Sequence, residues 1–435
     1  MGGCNSRLQR SEAREYAAKV RTEFLWAWRN YKHYAWGHDD LRPLSKTPHD
    51  WYGQSLQMTP VDALDTLLLM KIDDEAADAR ALITRDLSFD RDICVKNFEI
   101  TIRLLGGLLS SYQLTGDKNL LRLAEDLGKR LLPVFNSPTG LPYVYVNLRT
   151  GQVRDPLTNP AETGTLLLEF GTLSKLTGNL AFYEKAKQAL VETYKRRSLL
   201  NLVGQTIDVE KGEWVDADSH ISGGIDSYYE YLWKCWRLFH DQDCLKMWHL
   251  SIAAAHHYLA DEWRGELWYG HADMNTGRRT EPHYGALDAF FPALLALSGD
   301  LTRARRLQMS SMKMWNLHGV EPEKINYETM EIVRRGYHLR PEIVESLYYL
   351  YRYTGDAAFQ KMGEILFDDF VKYCRADAGY AALADVVSKQ QSDEMESFVF
   401  AETFKYFYLL FAPPETIRFD KVTFNTEGHP LRATW

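Results

Sequence analysis

Five short marks recur along the chain: "LTGD" from Leu114, "LTGN" from Leu176, "FHDQD" from Phe239, "LSGD" from Leu297 and "YTGD" from Tyr353. They fall 56 to 63 residues apart, enough chain for two helices and their connections. "KIDD" from Lys71 and "FAPPE" from Phe411 stand at equivalent places on either side, making seven marks. Each closes a segment that is apolar on nearly every side, such as "FEITIRLLGGLLSSYQ" or "MESFVFAETFKYFYLLF", the pattern of a helix buried within a larger structure. The stretches between, such as "NLLRLAEDLGKRLLPVF" and "LAFYEKAKQALVETYKR", are amphipathic and charged, as outer helices are. Seven buried helices alternating with seven amphipathic ones predict an all-α fold, an (α/α)7 barrel of inner and outer helices; an open solenoid would leave each inner helix a wet face. The expected division is an N-terminal tail over 1–12 and a single catalytic domain over 13–435.

Composition narrows the partners. The net charge is -8 and no Lys/Arg run occurs, which argues against a nucleic-acid surface. Aromatic residues are plentiful, 12 Trp, 25 Tyr and 19 Phe, and in an acidic chain they suit neutral sugars. No apolar stretch approaches the roughly 20 residues of a membrane helix, so no transmembrane segment is expected. The five cysteines are odd in number and form no CxxC pair, so neither a zinc site nor a disulfide framework is indicated. "MGGCNS" at the start lacks the apolar core of a secretory signal. It fits lipid anchoring through Gly2 and Cys4, and a processed N-terminus accounts for it equally. Nothing specifies an oligomeric partner.

In an alternating barrel the inner helices run the same way, so their N-terminal ends meet at one mouth. Near those ends stand Asp62 and Asp65, Glu99, Glu162, Asp226, Asp288, Glu342 and Glu345, and Glu396 and Glu402. Helix dipoles favour acids there by roughly 0.3 to 1 kcal/mol each, which accounts for Asp62, Asp65 and Asp288 as capping groups. Dipole matching does not account for Glu99, set among Phe98, Ile100 and Ile102, because an unpaired buried carboxylate is costly; Arg103, one turn on, can pair with it. "RPEIVES" likewise sets Arg340 beside Glu342 and Glu345. A ring of partly buried carboxylates calls for a cation, and Ca2+ is the natural candidate because it accepts six to eight oxygens of mixed kind. No EF-hand loop occurs, so its ligands would be distant in sequence. "FNTEGHP", residues 424–430, supplies Thr426, which offers a carbonyl and a hydroxyl oxygen, and Glu427, one more acid. His429 and His283 read as structural or capping histidines.

These segments resemble glycoside hydrolase family 47, the class I α-1,2-mannosidases, from about Trp28 to Pro430. The resemblance rests on "WRNYKHYAWGHDDLRPLS", "PVDALDTL", "FEITIRLLGGLL", "AETGTLLLEFGTLSKLTG", "GGIDSYYEYL", "YHLRPEIVESLYYLYRYTGD", "MESFVFAETFKYFYLLF" and "FNTEGHP" in order. "LDAFFPALLALSGD" is similar to the ER-degradation-enhancing mannosidase-like subgroup. The resemblance implies an (α/α)7 barrel plugged by a C-terminal β-hairpin, with Ca2+ held by both Thr426 oxygens and by O2 and O3 of a terminal mannose. It implies Glu99 as general acid acting through a water, with Asp226 the other candidate for that role and the third essential carboxylate, and Glu342 as general base. Arg103, Glu162, Arg340, Phe398, Glu402 and Glu427 match positions that contact the sugar or hold calcium-bound waters. It implies an inverting exo-α-1,2-mannosidase acting on mannose-containing oligosaccharides or glycoprotein glycans, in the secretory pathway or an exported, periplasmic setting. Members that remove a single mannose carry Arg two residues before the third acid; Gly224 stands there, which implies a roomier branch pocket. The alternatives are a mannose-glycan-binding, lectin-like quality-control protein with little hydrolysis, and a helical-repeat scaffold in which the acid ring is coincidental.

Overall fold

The computed structural model describes residues 2–435, with side chains from residue 11 onward. Fourteen helices alternate between an outer and an inner ring. The outer ones are α1 (Gly2–Ala35), α3 (Asp73–Asp86), α5 (Lys118–Leu131), α7 (Leu180–Lys195), α9 (Gln242–Ala254), α11 (Leu301–Asn316) and α13 (Ala358–Cys374). Inner helices α2 (Met58–Leu69), α8 (Asp226–Phe239) and α12 (Glu342–Thr354) are uninterrupted. The other four are composite. Helix α4 runs from Asn97–Ile100 through a π segment, Thr101–Leu105, into Gly106–Thr115. Helix α6 joins Pro160–Gly164 to Leu167–Thr177, α10 follows the 3-10 turn Leu287–Phe290 with Phe291–Leu297, and α14 joins the π segment Val399–Thr403 to Phe404–Phe411. Consecutive inner helices pack side by side, and α2 also packs on the π segment of α14. The inner ring therefore closes, giving the expected (α/α)7 barrel. Helix α1 begins at Gly2. The lipid-anchoring reading of Gly2 and Cys4 lies outside the described side chains.

The recurring marks are the inner-to-outer turns, and their chemistry explains the recurrence. Gly116, Gly178 and Gly355 end inner helices with φ of 73°, 78° and 67°, a left-handed conformation that L side chains resist. The residue after the stop then caps the outer helix: Asp117 accepts from Asn119 N, Asn179 from Ala181 N, and Asp300 from Arg303 N. In "FHDQD", His240 takes the left-handed position at φ 57° and Asp241 caps α9. Small antiparallel sheets of two or three short strands lie in the other connections. Among the described residues no helix is long and apolar enough to cross a membrane. The turn also brings Cys235 of α8 and Cys244 of α9 together, their sulfurs 2.6 Å apart, a pairing the spacing did not indicate.

The barrel is filled from one end by the C-terminal hairpin, Thr423–Phe424 paired with Pro430–Leu431 in the register Thr423↔Leu431 and Phe424↔Pro430. Its tip docks where the inner wall lacks side chains. A Cβ on Gly106 would lie 2.5 Å from Asn425 Nδ2, and one on Gly107 would lie 2.9 Å from the Val61 carbonyl. His429 is the anchor: its Nδ1 bonds Asp65 at 2.7 Å and its Nε2 bonds Asp62 at 2.8 Å, all three fully buried. Lys405 adds 2.8 Å to Asp65 and 2.7 Å to the Gly428 carbonyl. Asp62 and Asp65 are therefore not helix caps; they lie beyond the first turn of α2, and the plug claims both. Asp288, by contrast, accepts from Gly285 N at 2.9 Å and shapes the turn into α10.

Burial opposes charge in this cluster, yet Lys405 and His429 hold Asp65 at about 2, and Asp65 and Asp62 raise His429 above its ordinary value. A raised histidine contributes stability that is full below its unfolded value of about 6.5 and is lost as pH rises through its folded value; the depressed Asp65 loses its share only as pH falls from about 3.9 towards 2. His429→Ala, leaving two buried aspartates short of a partner, is expected to cost about 3 to 5 kcal/mol in urea unfolding at pH 6, with the gap from wild type narrowing at alkaline pH.

Candidate active site

The mouth of the inner ring opens into a cavity of about 560 Å3. Nine carboxyl side chains line it against three cations, Lys96, Arg103 and Arg340. Inner-helix first turns deliver Glu99 from α4, Glu162 from α6, Asp226 from α8 and Glu342 from α12. Helix α14 delivers Phe398 at its start and Glu402 within its π segment, and the plug delivers Thr426 and Glu427. All ten residues to which the family resemblance gave a role therefore face one space, whereas Asp62, Asp65 and Asp288 do not. Arg103 also sits in a π segment, where one extra residue per turn re-aims the side chain, a device common at functional sites.

Arg103 organises one side of the cavity. Its Nε donates to Glu99 Oε2 at 3.1 Å, as their one-turn spacing implied, and its Nη1 donates to Glu427 Oε1 at 2.7 Å. Trp51 and Phe398 flank its guanidinium at 5.0 and 5.6 Å, and the Arg340 guanidinium lies 5.9 Å from the same Phe398 ring. Arg340 is fixed by a fork onto Glu323, Nε at 3.1 Å and Nη2 at 3.0 Å. Lys96 pairs with Glu162 at 2.9 Å. On the opposite wall, Glu230 is bonded to Lys234 one turn along α8.

Burial leaves the acids poorly hydrated. It pushes Asp226 to about 7, with Glu230 and Asp288 adding repulsion, and Glu342 to about 8 despite Arg340. It pushes Glu345 to about 8 and drives Glu402 and Glu427 well above the usual carboxylate range. Within the cavity Thr426 keeps both oxygens free of hydrogen bonds from other described residues; its N–H alone reaches a partner, Tyr231, at 3.4 Å. Two free hard oxygens beside buried carboxyls could hold a divalent cation, whose charge would favour the ionised carboxylates.

Residues 23–433 match Glycosyl hydrolase family 47. The chain belongs to that family. It is 37% identical over 446 residues to alpha-mannosidase I MNS5 of Arabidopsis thaliana, covering 95% of this chain and 76% of that one. It is 36% identical over 451 residues to ER degradation-enhancing alpha-mannosidase-like protein 2 of Homo sapiens, covering 96% and 77%. The solved alpha-1,2-mannosidase from Trichoderma reesei superposes with a TM-score of 0.89 at 28% identity, covering 96% of this chain and 99% of the other. This family 47 chain also places in its cavity Lys96, Trp51 and Glu230, none of which the sequence reading singled out. Glu230 had a signal, an acid one helical turn from Asp226; Lys96, Trp51 and Glu323, which grips Arg340, lie in connections and had none.

Because Arg103 serves carboxylates on both α4 and the plug, Arg103→Met should lower the unfolding free energy by about 3 kcal/mol. Arg103→Lys should recover part of it, since an ammonium is a point charge and cannot fork as a guanidinium does; urea titrations of the three proteins measure both.

Proposed function

We propose that this family 47 chain is a calcium-dependent, inverting exo-α-1,2-mannosidase that removes terminal α-1,2-linked mannose from high-mannose N-glycans or related oligosaccharides. The observation that carries the reading is the gathering of Glu99, Asp226 and Glu342 with Thr426 around one cavity, in a chain whose relatives include alpha-mannosidases. Inversion needs a base that takes a proton from water and an acid that protonates the departing oxygen from the other side. Glu342 is the base: it opens onto the cavity beside a fixed Arg340. Two groups answer for the acid. Asp226, held at about 7 by burial, keeps a proton near neutrality; Glu99, paired with Arg103, is arranged to orient a water that carries one.

Thr426 would hold Ca2+ through its carbonyl and hydroxyl, with Glu162, Glu402 and Glu427 around its waters. The ion supplies, when bound, a Lewis-acidic seat for vicinal sugar hydroxyls. Phe398 offers an apolar ring to the sugar between two guanidinium groups. Gly224 leaves the branch side of the cavity open, and its φ of 95° disfavours any side chain there. The lectin-like alternative draws on the likeness to the ER degradation-enhancing relatives.

Release of mannose from α-1,2-linked mannobiose, abolished by chelator, is the expected result; binding without release would favour the lectin. Glu342→Gln should lower kcat by about 10²- to 10⁴-fold while leaving the thermal transition in place. Digestion of a nine-mannose glycan should continue beyond one cleavage, and a stop after a single cut at one branch would contradict the open pocket. Since Glu402 and Glu427 are driven towards their protonated forms, adding Ca2+ at neutral pH should release protons, read as a dependence of the binding heat on buffer ionisation.

A further inference from the structure

The base has a neighbour that the reaction above does not use. Glu321 lies between α11 and the strand Lys324–Asn326, flanked by Val320 and Pro322, and is wholly buried. Neither of its carboxyl oxygens has a hydrogen-bond partner among the described residues, and Glu342 Oε2 is likewise buried and unpartnered. The charged groups facing Glu321 are Glu342 at the head of α12, Glu323 two residues on, and Arg340 in the loop before α12. The phenols of Tyr284 and Tyr337 lie near it. All of these except Glu342 are committed elsewhere. Arg340 forks onto Glu323, Tyr337 donates to the Arg340 carbonyl at 3.3 Å, and Tyr284 bonds Ser311 at 2.8 Å. Three buried, unpaired oxygens are left, both of Glu321 and one of Glu342, whose side chain otherwise opens onto the cavity.

Buried polar atoms rarely stay without partners, and two carboxyls in such a place cannot both ionise. Glu342 opens onto the cavity whereas Glu321 does not, so the proton resides on the deeper group. We propose that Glu321 is a positioning residue for the base: as a neutral acid it donates its O–H to Glu342 Oε2, directly or through one water, and so holds the other Glu342 oxygen towards the cavity to accept a proton. Burial pushes Glu321 well above the usual carboxylate range, in keeping with a retained proton. The donated bond stabilises the ionised form of Glu342 against the burial that otherwise keeps it neutral. Glu321 keeps its proton throughout turnover.

This inference rests on the mannosidase reading with Glu342 as base. The test is the pH profile of kcat and KM on α-1,2-linked mannobiose, with Ca2+ present, for wild type, Glu321→Leu and Glu321→Gln. Glu321→Leu, similar in volume but without a donor, should lower kcat about tenfold or more with KM nearly unchanged, and should move the acid limb of kcat up by about one pH unit. Glu321→Gln, which keeps an N–H donor, should restore the wild-type limb. An acid limb that stays put in Glu321→Leu, or moves down as the loss of a nearby negative charge would move it, overturns the proposal. Should Glu321→Leu fail to fold, the infrared difference between wild type and Glu321→Gln at pH 7 decides: a protonated-carboxyl band lost in the variant supports the neutral acid, and its absence overturns it. Inactive wild-type enzyme would sink the mannosidase reading, while the infrared result would still report on the proton.

Discussion

A buried imidazole clasped by two aspartates holds the C-terminal hairpin inside the barrel, and the geometry of the cavity follows from it. His429 reaches Asp62 and Asp65 only because Gly106 and Gly107 leave no side chains in its path, and Asn425, beside it, bonds the Ile102 carbonyl at 2.9 Å and Glu169 at 2.8 Å. Unpaired, each of these groups would carry a large desolvation cost; together they place Thr426 and Glu427 at the base of the acidic cavity. The turn from Asn425 to His429 is thereby tied to the inner helices by buried hydrogen bonds.

Above the plug the electrostatics run the other way. The anchor is charge-matched, whereas the cavity has nine acids and three cations, and the cations already have partners: Arg103 with Glu99 and Glu427, Arg340 with Glu323, Lys96 with Glu162. Burial raises the proton affinity of the unpaired acids and of Glu427 as well, and the surplus of negative groups adds to it. Such a surplus is unfavourable for stability alone, and functional sites are where strain of this kind concentrates. Asp226 shows the balance: burial, with repulsion from Glu230 and Asp288 added, pushes it to about 7.

Much of this was legible in the sequence, for identifiable reasons. The repeated turn encodes its own chemistry, a left-handed stop followed by a capping Asp or Asn, so the alternation of rings could be read from letters alone. Glu99 stood out because an acid among Phe98, Ile100 and Ile102 requires a partner, and Arg103 was one turn away. Asp62 and Asp65 were misjudged as caps because their partners, His429 and Lys405, lie more than 300 residues away along the chain and no local pattern announces them. Glu323 and Lys96 escaped notice for a related reason: Lys96 ends a strand and Glu323 stands just before one, between the rings, where side-chain direction is set by the fold and not by helical period. The contact between Cys235 and Cys244 depends on how the α8–α9 turn closes, which composition does not record.

What unites the rings, the plug and the unbalanced acids is one claim, that carboxyls delivered by separate helices cut a mannosidic bond with inversion at the anomeric carbon. Proton NMR of the first sugar released from α-1,2-linked mannobiose tests it most directly, before mutarotation mixes the anomers. The expected result is β-mannose appearing first, only with Ca2+ present. α-Mannose appearing first, or no mannose at all from folded, calcium-supplied protein, would contradict the claim.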